Sequence, residues 1–269
     1  MSRVAAIQLA SGPHVSANLL ETERLISQAV DDGADLVVLP ENFAFMGERE
    51  TDKLELAEPA GSGRLQDFLA NQASRNNIWL VGGTIPIASD KPGKVRASCL
   101  LFNNSGEQAA RYDKIHLFDV SVPDSEERYL ESEAIDPGKD VCVVDTPCGK
   151  LGIAVCYDLR FPEMFRKMLD QGMETLAVPS AFTAITGRAH WEVLVRARAI
   201  ENLCYVIAAA QGGYHVGSRE TFGNSMVVDP WGVILDRMSR GAGFVAAEFD
   251  PARVRTVRQT FPTVQHRRF

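Results

Sequence analysis

Short apolar runs, five to eight residues long and rich in Val, Ile, Leu and Ala, recur along the whole chain. Turn residues bound most of these runs, as β-strands require. Several runs lack polar alternation, which indicates sheets that are covered on both faces. The pattern predicts strands at residues 4–10, 35–40, 78–85, 97–104, 141–145, 151–156, 175–180, 205–210, 225–230 and 243–250.

Between some of these runs, apolar residues recur at helical spacing. Leu19, Ile26 and Val30 follow this period before Gly33, a residue type that commonly ends a helix. The same reasoning predicts helices at residues 17–33, 63–77, 162–172 and 190–204. Two other connections, at residues 101–112 and 225–238, have the turn residues of hairpins.

Strands joined partly by helices and partly by hairpins predict an α/β protein with mixed sheets. The chain of 269 residues contains no linker, low-complexity tract or block of like charges. We therefore expect a single domain over residues 1–269.

The composition of the chain limits the kinds of partner that the protein is expected to bind. The net charge of −7 argues against nucleic acid, because phosphate contact needs a basic face. No apolar stretch approaches the ~20 residues of a membrane helix. The first residues, MSRVAAIQLASG, are too short and polar for a signal peptide and favour a first strand. We expect a cytoplasmic protein without a membrane partner.

The five cysteines are odd in number and well separated, and the chain has neither a Cys-x-x-Cys pair nor a His-Glu-x-x-His motif. A metal site therefore has little support. Cys99 and Cys204 lie within apolar runs, which predicts that they are buried as small hydrophobic residues. The remaining cysteines are Cys142, Cys148 and Cys156.

Cys156 has a distinctive position, in the segment KLGIAVCYDLRFPE. The apolar run from Leu151 to Val155 brings this thiol to the point where the chain turns, and Pro162 stands where a helix would begin. A free thiol has a pKa of about 8.5, so it needs a base or a nearby cation to act as a nucleophile at neutral pH.

Single residues do not decide which group would activate the thiol of Cys156. None of the five histidines lies in a local cysteine-protease signature, and His190 lies on an amphipathic helix where a structural role is more usual. Glu41 ends an apolar run, so it is either a working carboxylate or part of a solvated loop. Lys114, just before another apolar run, is either functional or only protects a strand edge.

Three motifs in order, LPE at 39–41, YDKIHLF at 112–118 and GIAVCYDLRFPE at 152–163, resemble the Glu-Lys-Cys triad of the nitrilase superfamily of carbon–nitrogen hydrolases. The resemblance covers nearly the whole chain and continues through residues 179–202, 224–232 and 265–269. One departure is Asp113, where relatives usually carry arginine. That residue is not catalytic in the family, so the change concerns local packing or charge.

The resemblance implies a four-layer αββα sandwich with two mixed sheets, and a homodimer that pairs through the outer helices. It also implies amide hydrolysis without a metal or other cofactor. Cys156 would be the nucleophile and Glu41 the base and acid. Lys114 and the backbone N–H of Tyr157 would stabilise the oxyanion.

A second, assisting glutamate is expected in the acidic loop at residues 122–138. Spacing alone does not choose among Glu126, Glu127, Glu131 and Glu133. In relatives, Glu-Ser precedes Pro-Gly in this loop, and Glu131-Ser132 with Pro137-Gly138 matches that pattern. Glu131 is therefore the predicted residue.

Residues 156–163, 180–192 and 266–268 most resemble the branch that acts on the α-keto form of glutathione. This predicts a small amide substrate with an α-keto carboxylate. Arg160, or alternatively Arg188, would bind that carboxylate unless it is committed to an ion pair. The competing interpretations are an omega-amidase acting on α-ketoglutaramate, a nitrilase acting on nitriles, and a non-enzymatic sensor with a reactive thiol.

Overall fold

A computed structural model describes residues 2–123 and 127–268 of the chain. The described part contains the helices Val15–Asp31 (α1), Arg64–Asn76 (α2), Pro162–Asp170 (α3), Ala184–Asn202 (α4) and Pro251–Thr260 (α5). Its strands are Ser2–Gln8 (β1), Leu36–Val38 (β2), Trp79–Val81 (β3), Ile85–Ala88 (β4), Val95–Phe102 (β5), Gln108–Asp113 (β6), Asp119–Ser121 (β7), Arg128–Leu130 (β8), Cys142–Thr146 (β9), Gly149–Ile153 (β10), Thr175–Ser180 (β11), Tyr205–Ala210 (β12), Met226–Val228 (β13), Ile234–Arg237 (β14) and Gly243–Phe249 (β15).

The strands form two large mixed sheets and one small hairpin. The first sheet has the order β15-β1-β2-β3-β5-β4, with β6 paired to β5. The second has the order β14-β13-β12-β11-β10-β9, and β7 pairs with β8. Strands β1, β2 and β3 run parallel to one another, as do β10, β11 and β12, while the outer strands are antiparallel. Helices connect most of the parallel strands, and hairpins connect antiparallel neighbours, as mixed sheets require.

The alternation of side chains along β1 shows how the layers stack. Val4 and Ala6 pack in the core shared with the second sheet. Ala5 and Ile7 point to the opposite face and pack in the core under α1 and α2. Because successive strand side chains point to opposite faces, one strand serves both interfaces. On the second sheet, α3 and α4 add Phe165 and Trp191 to the core. The predicted four-layer α/β sandwich is confirmed.

Several predicted boundaries were wrong. The predicted strand 78–85 is divided into β3 and β4, because Gly83 has a φ of 58° and its Cβ position would clash with the backbone carbonyl of Pro40. Helix α4 starts six residues before the predicted 190, because the Thr183 side chain accepts a hydrogen bond from Thr186 N–H and caps it. The hairpin β7–β8 and helix α5 were not predicted.

No helix within residues 2–123 and 127–268 is long and apolar enough to cross a membrane. The single-domain organisation stays a prediction.

Candidate active site

Lys114 lies at the centre of a buried cluster of charges. Its Nζ donates to Glu41 Oε1 at 2.7 Å and to both carboxylate oxygens of Glu131 at 2.8 Å. The residue is only 1% exposed. Burial alone would lower the pKa of this amine, but Glu131 and Glu41 outweigh that effect and hold the pKa well above its usual value. The lysine is therefore a fixed cation.

Glu41 is held at the carboxyl end of β2 by its backbone. Gln211 donates a side-chain N–H to the Glu41 carbonyl at 3.0 Å. The next residue, Asn42, has a φ of 55°, so the chain turns sharply after the carboxylate. Gly83 packs against the preceding Pro40, and a side chain there would displace the turn. These contacts direct a buried carboxylate toward Lys114.

Cys156 follows β10 and begins a short 3-10 turn, Cys156–Arg160, with a φ of 48°. The left-handed conformation costs an L-residue about 1–2 kcal/mol, so the surrounding structure holds the thiol in this orientation. Burial and the negative charge of Glu41 raise the pKa of the thiol well above its ordinary value, against the opposing effect of Lys114. Burial and Glu41 thus favour the neutral form of the thiol.

Burial also raises the pKa of the other four thiols, those of Cys99, Cys142, Cys148 and Cys204. The pKa therefore does not single out Cys156. Its electrostatic coupling to Glu41 and Lys114 does. Cys99 and Cys204 are fully buried, which confirms their predicted place in the apolar core.

Asp158 connects the Cys156–Arg160 turn, in which it lies, to the segment around Lys114. Its carboxylate accepts hydrogen bonds from Tyr112 Oη at 2.7 Å, from His116 Nδ1 at 2.7 Å and from the Val155 N–H at 2.8 Å. Since the residue is fully buried and these bonds satisfy it, it positions the turn at Cys156. The hydrogen bonds of His116 go to Asp158, an arrangement that does not favour a histidine base.

Of the four loop glutamates, the structure brings Glu131 to the cluster. Its side chain is buried and also accepts the Phe118 N–H at 2.7 Å. Glu127 accepts a hydrogen bond from the Tyr129 hydroxyl, and Glu133 is exposed. Glu126 lies outside the described residues. The match of Glu131-Ser132 to the relatives' pattern thus singled out the glutamate that contacts Lys114.

A narrow pocket opens above this cluster. Cys156, Glu41, Lys114 and Glu131 all line it. Among the described residues, no group of His, Cys, Asp and Glu is arranged to hold a metal ion. The arrangement thus offers a thiol, a carboxylate and a fixed cation at one small cavity, which are the groups that nucleophilic acyl transfer uses.

A family model described as carbon-nitrogen hydrolase matches residues 3–259. The chain belongs to the carbon–nitrogen hydrolase family. It is 46% identical over 268 residues to the deaminated glutathione amidase of Synechocystis sp., covering 98% of this chain and 97% of that protein. It is 42% identical over 269 residues to the deaminated glutathione amidase of Homo sapiens, covering 98% and 82%. These relatives confirm the resemblance and the prediction of an amide hydrolase.

Among solved structures, this carbon–nitrogen hydrolase is similar to Saccharomyces cerevisiae Nit3, a member of branch 10 of the nitrilase superfamily. The TM-score is 0.88 at 34% identity, with 100% of this chain and 97% of that chain covered. The agreement extends over the entire chain, so it includes the two sheets and the strand ends that carry the cluster.

The two predicted substrate-binding arginines of this hydrolase lie in different places. Arg160 lines the pocket, and its guanidinium lies over the rings of Tyr157 and Phe182. Its Nη1 donates to His190 at 3.1 Å. Among the described residues, no carboxylate lies within ion-pair distance of it. Arg188 is exposed on α4 and does not line this pocket, so its predicted role lacks structural support.

Sequence reasoning missed two residues of the site. Asp158 carried one signal, since an acidic residue directly after a buried strand and its turn needs a partner. Arg219 also lines the pocket, but it comes from a loop at residues 213–222 with no local motif. Only the folded chain brings Arg219 to Glu50.

Proposed function

We propose that the protein is a thiol-dependent amidase that hydrolyses a small α-keto ω-amide such as deaminated glutathione. Glu41, Lys114 and Cys156 form its triad, and Glu131 assists. The observation that carries this proposal is the shared contact of Lys114 with Glu41 and Glu131 beside the thiol of Cys156. The names of the relatives support the substrate.

In the first half of the reaction, Glu41 accepts the proton of the Cys156 thiol, and the sulfur attacks the amide carbon. The carbonyl oxygen becomes an oxyanion, which Lys114 and the backbone N–H of Tyr157 stabilise. The C–N bond then breaks, the proton on Glu41 passes to the leaving nitrogen, and a thioester with Cys156 remains. A raised thiol pKa makes the proton acceptor essential to this step.

In the second half, Glu41 accepts a proton from water, and the resulting hydroxide attacks the thioester carbon. The same oxyanion donors act again. The C–S bond breaks, the acid leaves, and the thiol regains its proton. Glu131 keeps Lys114 charged and in place through both halves, because it binds the amine with both oxygens.

Arg160 is the group we assign to the α-keto carboxylate. It lines the pocket and carries no ion pair among the described residues. A guanidinium matches a planar carboxylate with two parallel hydrogen bonds. Its contacts with His190 and two aromatic rings fix its position before substrate arrives.

The decisive experiment offers the purified protein deaminated glutathione, α-ketoglutaramate and the nitrile of the same acyl group. We expect turnover of the amides with release of the amine or ammonia, and the highest kcat/KM on deaminated glutathione. A higher kcat/KM on α-ketoglutaramate would favour an omega-amidase. Turnover of the nitrile alone would favour a nitrilase, and turnover of none would leave a reactive-thiol protein.

We also propose a homodimer formed through the outer face of α4. Ile185, Val193 and Ile200 share one face of this helix and are exposed, Val193 to 68%. Ultracentrifugation should show a dimer that Val193→Asp converts to a monomer. The matched control is Leu20→Asp, because Leu20 on α1 is equally exposed, at 70%, and should leave the dimer intact. Monomeric wild-type protein would contradict the proposal.

A cytoplasmic location is part of the same proposal. The five cysteines are all free, and a catalytic thiol must stay reduced, which suits a reducing compartment. Cell fractionation tests this, and recovery from an oxidising compartment would contradict it.

A further inference from the structure

Two arginines of the pocket have an unused hydrogen-bond donor. In the described part of the chain, the buried side-chain nitrogen and oxygen atoms without a hydrogen-bond partner are Nε of Arg160 and Nε of Arg219. Both residues line the pocket that contains Cys156. A buried N–H without a partner is costly, so each guanidinium keeps hydrogen-bonding capacity that the protein itself does not use. Arg160 has its role in the proposed function, whereas Arg219 has none.

Arg219 is one of three arginines along the groove on its side of the pocket, whose lining also holds four glutamates. Among the described residues, Glu50 is the carboxylate within ion-pair distance of Arg219, at 3.5 Å, and it also accepts a shorter hydrogen bond of 2.8 Å from Lys53. Although burial opposes it, the pKa of Glu50 is lowered to about 2 by Lys53 and Arg219. One carboxylate therefore faces two cations, and the longer contact leaves the guanidinium able to bind a second anion.

Arg219 stands at the junction of two cavities. It and Glu50 line the catalytic pocket and also a wider, more open groove that runs past Tyr129 and Gly217. The guanidinium lies 5.2 Å from the centre of the Tyr129 ring, and its side chain is 20% exposed. A backbone hydrogen bond of 2.8 Å from His215 N–H to the Arg219 carbonyl closes the loop that carries it. A substrate longer than the catalytic pocket would extend past this residue.

The order of the reaction decides which half of the substrate lies in that groove. The acyl half stays attached to Cys156 while the amine half leaves and water enters. The amine half must therefore lie on the side that opens outward, and the groove beside Arg219 is such a side.

Resting on the proposed function, we infer that Arg219 determines specificity by binding a carboxylate carried by the leaving amine. The substrate class is then an amide whose nitrogen belongs to an amino acid or short peptide with a free carboxyl end. Deaminated glutathione is of this class, with one carboxylate for Arg160 and one for Arg219. The unsubstituted amide α-ketoglutaramate has only the first.

The test uses two substrates that share the α-ketoglutaryl group. One carries a glycine-terminated peptide with a free carboxylate, and the other carries the same peptide as its carboxamide. We expect the wild-type protein to prefer the carboxylate by about tenfold or more in kcat/KM, mainly through KM, a difference typical of a charged hydrogen-bonded pair. In Arg219→Gln that preference should disappear. A fraction of misfolded protein lowers both rates equally, so the ratio is insensitive to folding.

Arg240→Gln is the matched control, because Arg240 pairs with Tyr214 and with Glu220, the residue after Arg219, and lines neither cavity. It should retain the wild-type preference. Equal kcat/KM on the two substrates in wild-type protein would overturn the inference, as would a preference that survives Arg219→Gln. Failure of the proposed function looks different, since neither substrate nor α-ketoglutaramate would then be hydrolysed.

Discussion

The centre and the rim of the pocket differ in how their charges are satisfied. At the centre, the amine of Lys114 donates to two carboxylates and is almost inaccessible to water. At the rim, Arg160 and Arg219 each keep a buried Nε–H without an acceptor. Both regions contain cations, but the protein satisfies the amine at the centre, whereas each guanidinium at the rim keeps one N–H without an acceptor.

Under the proposed function, the groups at the centre carry out the chemical step, and the groups at the rim recognise the substrate. Groups that stabilise a transition state work best when they are already oriented, so that nothing reorganises during the reaction. Groups that select a substrate must gain something when it binds, and an unsatisfied donor does so. Substitutions at the centre should thus lower kcat, and substitutions at the rim should raise KM.

The largest effect is expected from Cys156→Ala. Turnover should fall to background while the fold persists, because the thiol at the strand end contributes little packing. The matched control is Cys142→Ala, at a partly exposed cysteine outside the pocket, which should retain turnover. Mass spectrometry of the protein mixed with substrate should place the acyl group on Cys156. An acyl group on any other cysteine would refute the assignment.

Glu41→Gln should lower kcat by a factor of about 10² or more, because the thiol then has no proton acceptor. Removing this negative charge should also lower the pKa of Cys156, since Glu41 raises it. Alkylation of the thiol should then begin at lower pH even though hydrolysis is lost. For comparison, His116→Ala and His190→Ala should keep a reactive thiol. An inactive histidine variant beside an active Glu41→Gln would support a Cys-His mechanism instead.

Glu131→Gln should have an intermediate effect, on the order of tenfold in kcat, because Glu41 still binds Lys114. Glu131 raises the pKa of Lys114, so its removal lowers that pKa. Activity that needs the charged amine falls as pH rises through this pKa. The alkaline limb of the pH–activity profile should therefore move to lower pH. The exposed neighbour Glu133→Gln is the control, and an unmoved alkaline limb in Glu131→Gln would contradict this role.

The smallest effect is expected at the rim, from Arg160→Lys. Lysine keeps the charge but cannot form two parallel hydrogen bonds with a carboxylate. KM for α-keto ω-amides should rise severalfold, by less than about tenfold, with little change for a neutral amide. Equal losses on both substrates would mean that Arg160 supports the fold or the triad.

The contrast between the centre and the rim of the pocket also shows which site residues could be predicted from the sequence. Glu41, Lys114 and Cys156 each follow a strand, and short motifs around them were sufficient to predict a shared site. Arg219 follows no such strand, and only the loop it closes brings it to the pocket. Arg188 was predicted from a resemblance, without knowing that α4 begins at Ala184 and exposes that position.

Asp158 shows a second limit of prediction from the sequence. It lies within the turn Cys156–Arg160, but its partners Tyr112 and His116 come from the segment around Lys114. A local pattern does not reveal a hydrogen-bond network that joins distant parts of the chain.

Because Glu41 and Lys114 follow strands of one sheet and Cys156 follows a strand of the other, the proposed catalytic site spans the interface between the sheets. A slip of one sheet over the other would move the thiol away from Glu41 while every strand remained paired. Turnover therefore depends on how the two sheets are aligned. Under rising denaturant, activity should disappear before circular dichroism records any loss of secondary structure.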